Sequence, residues 1–282
     1  MLILLLFLLG TAACSTLRKP LQPQAKVNAD ATLLMAQQQQ RQGQVQPALA
    51  SYQFAYEQYK SFGDSAGKLS ALSGIARISH DLGDSTLFDT SYQEMEDIVQ
   101  NVVPEQSWQL LVLELSILKR ESRYWQILEK TVEVKGFPEI AELQILAHRV
   151  QAAAYLQSAD PAAAKRLHRL AKKLDKRLPK SPQADPDAVS QAWYALAYHY
   201  YLQSDYSQAE DCVRRSAGLD YLYGNFSSLG YSLWLQAQIA VKRQNDLGAI
   251  ALLKRALDIF ASAGNSALLE KITEQIDILK RD

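Results

Sequence analysis

Apolar residues recur along most of this chain at intervals of three and four positions, which is the spacing of one helix face. In residues 48–60, for example, Tyr52, Ala55, Tyr56 and Tyr59 fall on a single face. Glycine is sparse, with 12 residues among 282, and the paired turn signals of a sandwich or barrel of short strands are few. The pattern therefore predicts an all-α fold.

The helical stretches repeat with a period near 40 residues, as expected for stacked helical hairpins. Small residues recur where the two helices of a pair would cross, as at Ala36 and Ala48. The predicted turns inside the hairpins lie at Gly43, Gly83, Ala159, Ser204 and Gln244. A further, degenerate unit fits between about 105 and 135, so six hairpins and a closing helix over 266–281 are expected.

One copy of the repeat carries the clearest signature, and its residues are Trp193, Leu196, Ala197, Tyr200, Ser204, Tyr206 and Ala209. Their spacing resembles the pattern of the tetratricopeptide repeat family. The resemblance implies an all-α, right-handed superhelical solenoid over residues 29–282, with about six hairpins and a C-terminal closing helix. It also implies a concave face, lined by the first helix of each pair, that binds proteins or peptides.

Three predicted joints between hairpins read alike, and they are Phe62-Gly63-Asp64-Ser65, Tyr223-Gly224-Asn225-Phe226 and Ala263-Gly264-Asn265-Ser266. Glycine can end one helix, and Asp or Asn can cap the next. The first joint also begins Gly63-Asp64-Ser65-Ala66-Gly67, a formal match to the nucleophile elbow of serine hydrolases. That motif needs a strand before the serine, whereas the pattern predicts a helix there.

The N-terminus contains an apolar run at residues 1–13 that is too short to span a membrane and reads as a signal peptide. Gly10-Thr11-Ala12-Ala13-Cys14 resembles the lipobox of bacterial lipoproteins, which implies acylation of Cys14. Ser15 follows, which implies the outer membrane of a Gram-negative cell. The alternative is an ordinary signal peptide cut near the same place, and residues 14–28 are predicted to be a linker.

The charges give little reason to expect nucleic acid, because 30 Lys and Arg balance 30 Asp and Glu. The four histidines lie in different repeats without metal-ligand spacing, and phosphate-binding loops are missing, so no cofactor and no metal is expected. Residues 165–180 form a basic helix with an apolar opposite face. It is either a patch for acidic proteins or lipid phosphates, or a solvated outer helix.

Projecting the repeat register onto the concave face predicts a partner-binding set of Arg149, Tyr194, Tyr198, Tyr201, Tyr231 and Trp234. Tyrosine and tryptophan offer large contact areas with a polar edge, and arginine pairs with carboxylates. Aromatic residues on such helices can instead fill the seams between repeats. The Lys and Asn clamp of chaperone-binding relatives is missing, since Leu33, Gln37 and Gly74 stand in its places.

Three hypotheses for function follow from these observations. The first is a non-enzymatic scaffold, anchored by lipid on the periplasmic side of the outer membrane, that holds a partner protein or peptide in an envelope complex. The second is a periplasmic regulator or sensor that binds a short peptide. The third is a serine hydrolase that uses Ser65.

Overall fold

The computed structural model describes residues 23–133, 136–180, 185–262 and 266–281, and these residues form 13 α-helices and no strand. The helices are α1 (Gln24–Arg41), α2 (Val45–Ser61), α3 (Ser65–Leu82), α4 (Ser85–Asn101), α5 (Trp108–Arg120), α6 (Tyr124–Lys130), α7 (Glu139–Tyr155), α8 (Pro161–Asp175), α9 (Pro186–Leu202), α10 (Tyr206–Tyr223), α11 (Phe226–Lys242), α12 (Asp246–Ser262) and α13 (Ser266–Leu279). Short 3₁₀ turns lie at Pro104–Gln106 and Leu178–Lys180.

The helices pack in the order of the chain, as six hairpins from α1/α2 to α11/α12, with α13 against α12. Successive hairpins meet through pairs such as α2 with α3 and α10 with α11. In the middle of the chain, the first helices of neighbouring hairpins also touch, α3 with α5, α5 with α7 and α7 with α9. The predicted all-α solenoid is confirmed, and the degenerate third unit is the hairpin with the short helix α6.

Every hairpin turn contains one residue in the left-handed backbone region, and these residues are Gly43, Gly83, Ser122, Gln157, Ser204 and Gln244. The predicted turns at Gly43, Gly83, Ser204 and Gln244 are confirmed. The predicted turn at Ala159 also lies in the connection between α7 and α8, where the residue with left-handed φ is Gln157. Asp160 then caps the amide of Ala163, and Pro161 begins α8.

Hairpins pack closely because small residues lie under aromatic rings. Gly67 and Gly74 on α3 face the rings of Tyr59 and Tyr52 from α2. A Cβ atom at Gly67 would lie 2.2 Å from Tyr59 Cδ1, and one at Gly74 would lie 2.4 Å from Tyr52 Cε1. Both tyrosines are almost fully buried. Glycine is therefore required at these positions for α2 to approach α3.

The described joints between hairpins use the predicted glycine and cap. Gly63 and Gly224 take φ values of 74° and 72°. Asp64 then accepts a hydrogen bond from the amide of Gly67, and Asn225 accepts one from Ser228. The third joint, at 263–266, falls largely outside the described residues. Helix α2 precedes Ser65, so the strand that a nucleophile elbow needs is not there.

The first helix begins earlier than the sequence predicted. Residues 14–28 were expected to be a linker, but α1 begins at Gln24, directly after Pro23. Lys26 Nζ lies 2.6 Å from Asp64 Oδ2 and also bonds Asp30, which fixes this turn on the next hairpin. The predicted signal peptide and Cys14 lie outside the described residues. Among the residues that are described, no helix is both long and apolar enough to cross a membrane.

The solenoid curves strongly enough to bring its first hairpin against its fifth. Arg41, the last residue of α1, places Nε 2.6 Å from Asp187 Oδ2 in the first turn of α9. The same carboxylate accepts a hydrogen bond from the amide of Asn225, which caps α11. Both members of the Arg41–Asp187 pair are largely shielded from solvent. This contact closes the inner side of the curve.

A carboxylate is buried where α9, α10 and α11 meet. Asp220 is 1% exposed and accepts hydrogen bonds from Ser190 at 2.5 Å and from Ser232 at 3.1 Å. Ser216 bonds both serines and completes the cluster. Burial raises the pKa of Asp220 from 3.8 to about 7, and the negative charge of Asp187 acts in the same direction.

Replacing Gly74 with Ala tests the close approach of α2 and α3. The added methyl group would overlap the Tyr52 ring, so we expect Gly74→Ala to lower the free energy of unfolding by about 1–3 kcal/mol. The matched control is Gly218→Ala on α10, where a Cβ meets no atom within 4 Å. That change should stabilise by roughly 0.5–1 kcal/mol, because alanine is the better helix former. Equal urea midpoints for the two variants would contradict this packing.

The buried carboxylate predicts a pH dependence of stability. Between pH 3.8 and 7 the folded protein holds the Asp220 proton that the unfolded chain has released, so the free energy of unfolding falls as pH rises through this window. The full effect is roughly 4 kcal/mol. The Asp220→Asn variant should lack this pH dependence. Its free energy of unfolding in urea, relative to that of the wild type, should therefore increase from pH 4 to pH 8. Asp89→Asn, at an exposed position, is the control and should show no such growth.

Candidate functional site

The inner side of the curve is formed by the first helices of the hairpins. Helices α3, α5, α7 and α9 lie side by side there, and the Arg41–Asp187 pair joins α1 to α9. We call the side chains that these helices and α11 direct towards each other the inner surface. It has a cationic part and an aromatic part.

The cationic part consists of Arg77 on α3 and Lys119 on α5, with the imidazole of His148 on α7 beside them. Desolvation lowers the pKa of Lys119, and the charge of Arg77 lowers it further. Desolvation likewise lowers the pKa of His148, with further contributions from Lys119 and Arg77. Three successive inner helices thus bring three nitrogen-bearing groups within electrostatic reach of each other, His148 buried and Arg77 and Lys119 partly buried.

Two nitrogen atoms of this cationic part lack partners. Within the described residues, Arg77 Nε and His148 Nδ1 are buried and make no hydrogen bond. His148 is 6% exposed, and Arg77 has one weak contact, from Nη2 to Ser73 Oγ at 3.4 Å. Buried polar atoms are normally hydrogen-bonded, so unpaired ones call for a ligand or water.

The aromatic part belongs to a row of five tyrosines, which is centred on the inner helices α7 and α9 and continues at its two ends onto α6 and α10. In spatial order they are Tyr124, Tyr155, Tyr198, Tyr201 and Tyr206. The rings of Tyr124 and Tyr155 are nearly parallel, and their centroids are 4.4 Å apart. The ring centroids of Tyr155 and Tyr198 are 4.7 Å apart. Tyr155 remains 40% exposed. We call this set the tyrosine row.

Two further tyrosines join the row from α9 and α11. Burial raises the pKa of Tyr194, and the nearby hydroxyls of Tyr155, Tyr198 and Tyr231 raise it further. Tyr231 is 39% exposed, and its ring packs edge-on against Phe260. The structure therefore brings together four of the six residues that the sequence predicted for partner binding, which are Tyr194, Tyr198, Tyr201 and Tyr231.

Arg149 does not belong to the inner surface. Its Nε donates to Asp160 Oδ2 at 2.7 Å, and its Nη1 donates to the carbonyl of Thr131 at 3.0 Å. The side chain thereby ties α7 to the segment after α6 and to the N-terminus of α8. The register placed Arg149 on α7. It could not reveal that carbonyl groups at the end of the short helix α6 accept hydrogen bonds from the Arg149 side chain.

Trp234 is also held by a neighbouring helix. Its Nε1 donates to Gln275 Oε1 at 2.8 Å, and Lys271 Nζ lies 5.1 Å from the ring centroid. Both partners are on α13. The prediction treated this part of α11 as open groove, whereas the closing helix covers it.

Sequence reasoning missed Tyr124, Tyr155, Arg77 and Lys119. Tyr155 lies about one repeat before Tyr198 in the chain, so the period could have placed it in the row. Tyr124 begins the short helix of the degenerate unit, where no register was available. The two cations look like ordinary helix-surface residues until the curvature of the solenoid brings their helices together.

The basic helix predicted over 165–180 lies on the outward-facing α8, which ends earlier, at Asp175, so that Lys176 and Arg177 follow it. Its Leu167 and Leu170 are buried, while Glu139 of α7 pairs with both Lys173 and Arg177. Several cations remain exposed, and they are Lys165, Arg169, Lys172 and Lys176. The helix therefore lies apart from the inner surface.

Other candidate sites in the described part of the chain are less suited to binding a ligand. A surface cleft of about 370 Å³ lies between α10, α11 and α12, but its Arg214 and Arg243 already pair with Glu210. Across the described ranges, no three His, Cys, Asp or Glu side chains are grouped so as to hold a metal ion. Cys212 is buried, and burial raises the pKa of its thiol to about 12.

Comparison of the sequence with models of known protein families and with curated proteins finds no match. The functional conclusion therefore depends on the residues of this chain. Among the described residues, the inner surface is the place where exposed aromatic rings, unpaired cations and several helices converge.

Proposed function

We propose that this protein is a non-enzymatic scaffold that holds a partner protein or peptide on its inner surface. In this proposal, acylated Cys14 anchors it to the outer membrane, facing the periplasm, as a member of an envelope complex. The observation that carries the proposal is the tyrosine row, a partly exposed series of neighbouring rings centred on the inner helices α7 and α9.

The tyrosine row supports binding rather than packing alone. Tyr155 of the row and the adjoining Tyr231 keep 40% and 39% of their surface exposed although they lie on the inner helices α7 and α11. Stacked rings have already lost most of their rotational freedom, so a partner that covers them gains contact area at a small entropic cost. Tyrosine is also enriched among the residues that dominate binding energy.

The architecture supports a scaffold. Stacked hairpins expose one long continuous surface, and such surfaces suit extended segments of other proteins. The resemblance to tetratricopeptide repeats favours the same interpretation. Ser65, the one candidate nucleophile of the sequence, lies in the first turn of α3 after a helix, without the geometry of an elbow.

The sequence of the first residues supports the anchor. An apolar run ends in Gly10-Thr11-Ala12-Ala13, directly before Cys14. Eight residues then separate Cys14 from Pro23, and a chain of that length spans at most about 28 Å. The proposal therefore keeps the solenoid near the membrane surface, where envelope complexes assemble.

Removing the rings of the row should abolish partner capture. We expect Tyr155→Ala with Tyr198→Ala to reduce the amount of partner that co-purifies after crosslinking in cells by at least about 30-fold, because central aromatic contacts each contribute roughly 2 kcal/mol or more. Quantitative mass spectrometry of the affinity-purified complex measures this. Circular dichroism and the Tm should confirm that the double variant remains folded.

The control for this experiment is Tyr221→Ala. Tyr221 is 72% exposed on α10 and contacts no ring of the row. The Tyr221→Ala variant loses a side chain of the same size at a position away from the row. Its partner capture should therefore match that of the wild type. Equal capture by the folded double variant would reject the tyrosine row as the binding surface.

Acylation of Cys14 can be tested directly. The wild-type protein should incorporate a clickable palmitate analogue and sediment with outer membranes, whereas Cys14→Ser should do neither. Cys212→Ser is the matched control, because it removes the chain's other cysteine and should leave labelling intact. A wild-type protein that carries no label and appears in the soluble periplasmic fraction would reject the anchor and leave ordinary secretion.

A further inference from the structure

The cationic part of the inner surface is energetically costly as it stands. Arg77, Lys119 and His148 converge from α3, α5 and α7, and desolvation and mutual repulsion act on the last two. No ion pair joins any of the three to a carboxylate within the described residues. Charges that are partly removed from water are normally paired, and an unpaired one costs stability.

Two carboxylates of this region, Asp185 and Asp187, are already engaged elsewhere. Asp187 bonds Arg41 and Asn225. Asp185 caps α9 by accepting from the amides of Asp187 and Ala188, and it lies close enough to Arg77 to feel its charge without forming an ion pair. The fold therefore engages these two carboxylates in structural contacts and leaves the cations Arg77 and Lys119, and the uncharged His148 beside them, without an anionic partner.

We propose that Arg77, Lys119 and His148 form a binding site for a carboxylate that an acidic peptide segment brings into the inner surface. This inference rests on the proposed function, because it names the chemistry of the partner. Arginine can present two parallel donors to a carboxylate, and lysine adds a point charge. His148 has a free Nδ1 that can join the bond network.

The neighbouring tyrosines extend the match from one carboxylate to a peptide. Tyr194 lies on α9, which packs directly against the helix of His148, and it is close to Tyr155, Tyr198 and Tyr231. A carboxylate held by the cations thus lies beside rings that can cover the adjoining residues. We infer a ligand in which Asp or Glu stands next to apolar or aromatic residues.

A peptide selection tests this chemistry without knowledge of the natural partner. The full folded chain is used to select binders from a random dodecapeptide library displayed on phage, and the affinities of the enriched peptides are measured by fluorescence polarisation. We expect enrichment of Asp and Glu beside apolar residues. Arg77→Gln with Lys119→Gln should weaken binding of these peptides by about 10- to 100-fold, as expected for the loss of charge-assisted hydrogen bonds.

The matched control is Arg169→Gln with Lys172→Gln on the outward face of α8, which removes the same net charge at exposed positions. Binding should stay within about twofold of the wild type, because exposed distant charges are screened. The inner double variant should also melt at the same or a higher temperature than the wild type, since it loses two crowded cations. A lower Tm together with weaker binding would assign the cations a structural role and overturn the inference.

Two other outcomes are decisive. Selected peptides that lack acidic residues and bind the inner double variant as tightly as the wild type would overturn the carboxylate site while leaving the proposed function standing. If no peptide is selected, and the tyrosine variants also leave partner capture unchanged, the proposed function fails and the carboxylate site fails with it.

Discussion

The close packing of aromatic rings on small residues is the interaction on which this structure depends. Tyr59 and Tyr52 lie on Gly67 and Gly74 so tightly that a single methyl group does not fit, and α2 can therefore nest against α3. Fully buried alanines such as Ala36 and Ala48 serve the same purpose within a hairpin. Without these small residues the helices would separate, and the chain would lose both its core and its curvature.

Curvature then creates the inner surface. Because the hairpins turn tightly enough for Arg41 to reach Asp187, helices that are far apart in sequence direct their side chains into one shared region. Cations and tyrosines that would be fully solvated on a straight rod become crowded and partly buried there. Electrostatically perturbed groups of this kind cluster at functional sites.

The six residues that the register selected for partner binding show how far a repeat register reaches. Repeat periodicity places Tyr194, Tyr198, Tyr201 and Tyr231 on first helices, where the structure brings them together, and their part in binding stays a prediction. Arg149 and Trp234 also lie on first helices, but irregular neighbours, the segment of the short helix α6 and the closing helix α13, take hydrogen bonds from them. Local periodicity carries no information about such neighbours.

By itself, the sequence determined the helices, their pairing and most of their turns, because these follow from contacts between residues close in the chain. Gly63 and Gly224 with their Asp64 and Asn225 caps are examples. Only the tertiary structure decided that Arg77, Lys119 and His148 meet. Their meeting depends on the angle between successive hairpins. Many small packing contacts together set that angle, so it cannot be predicted from any single residue of the sequence.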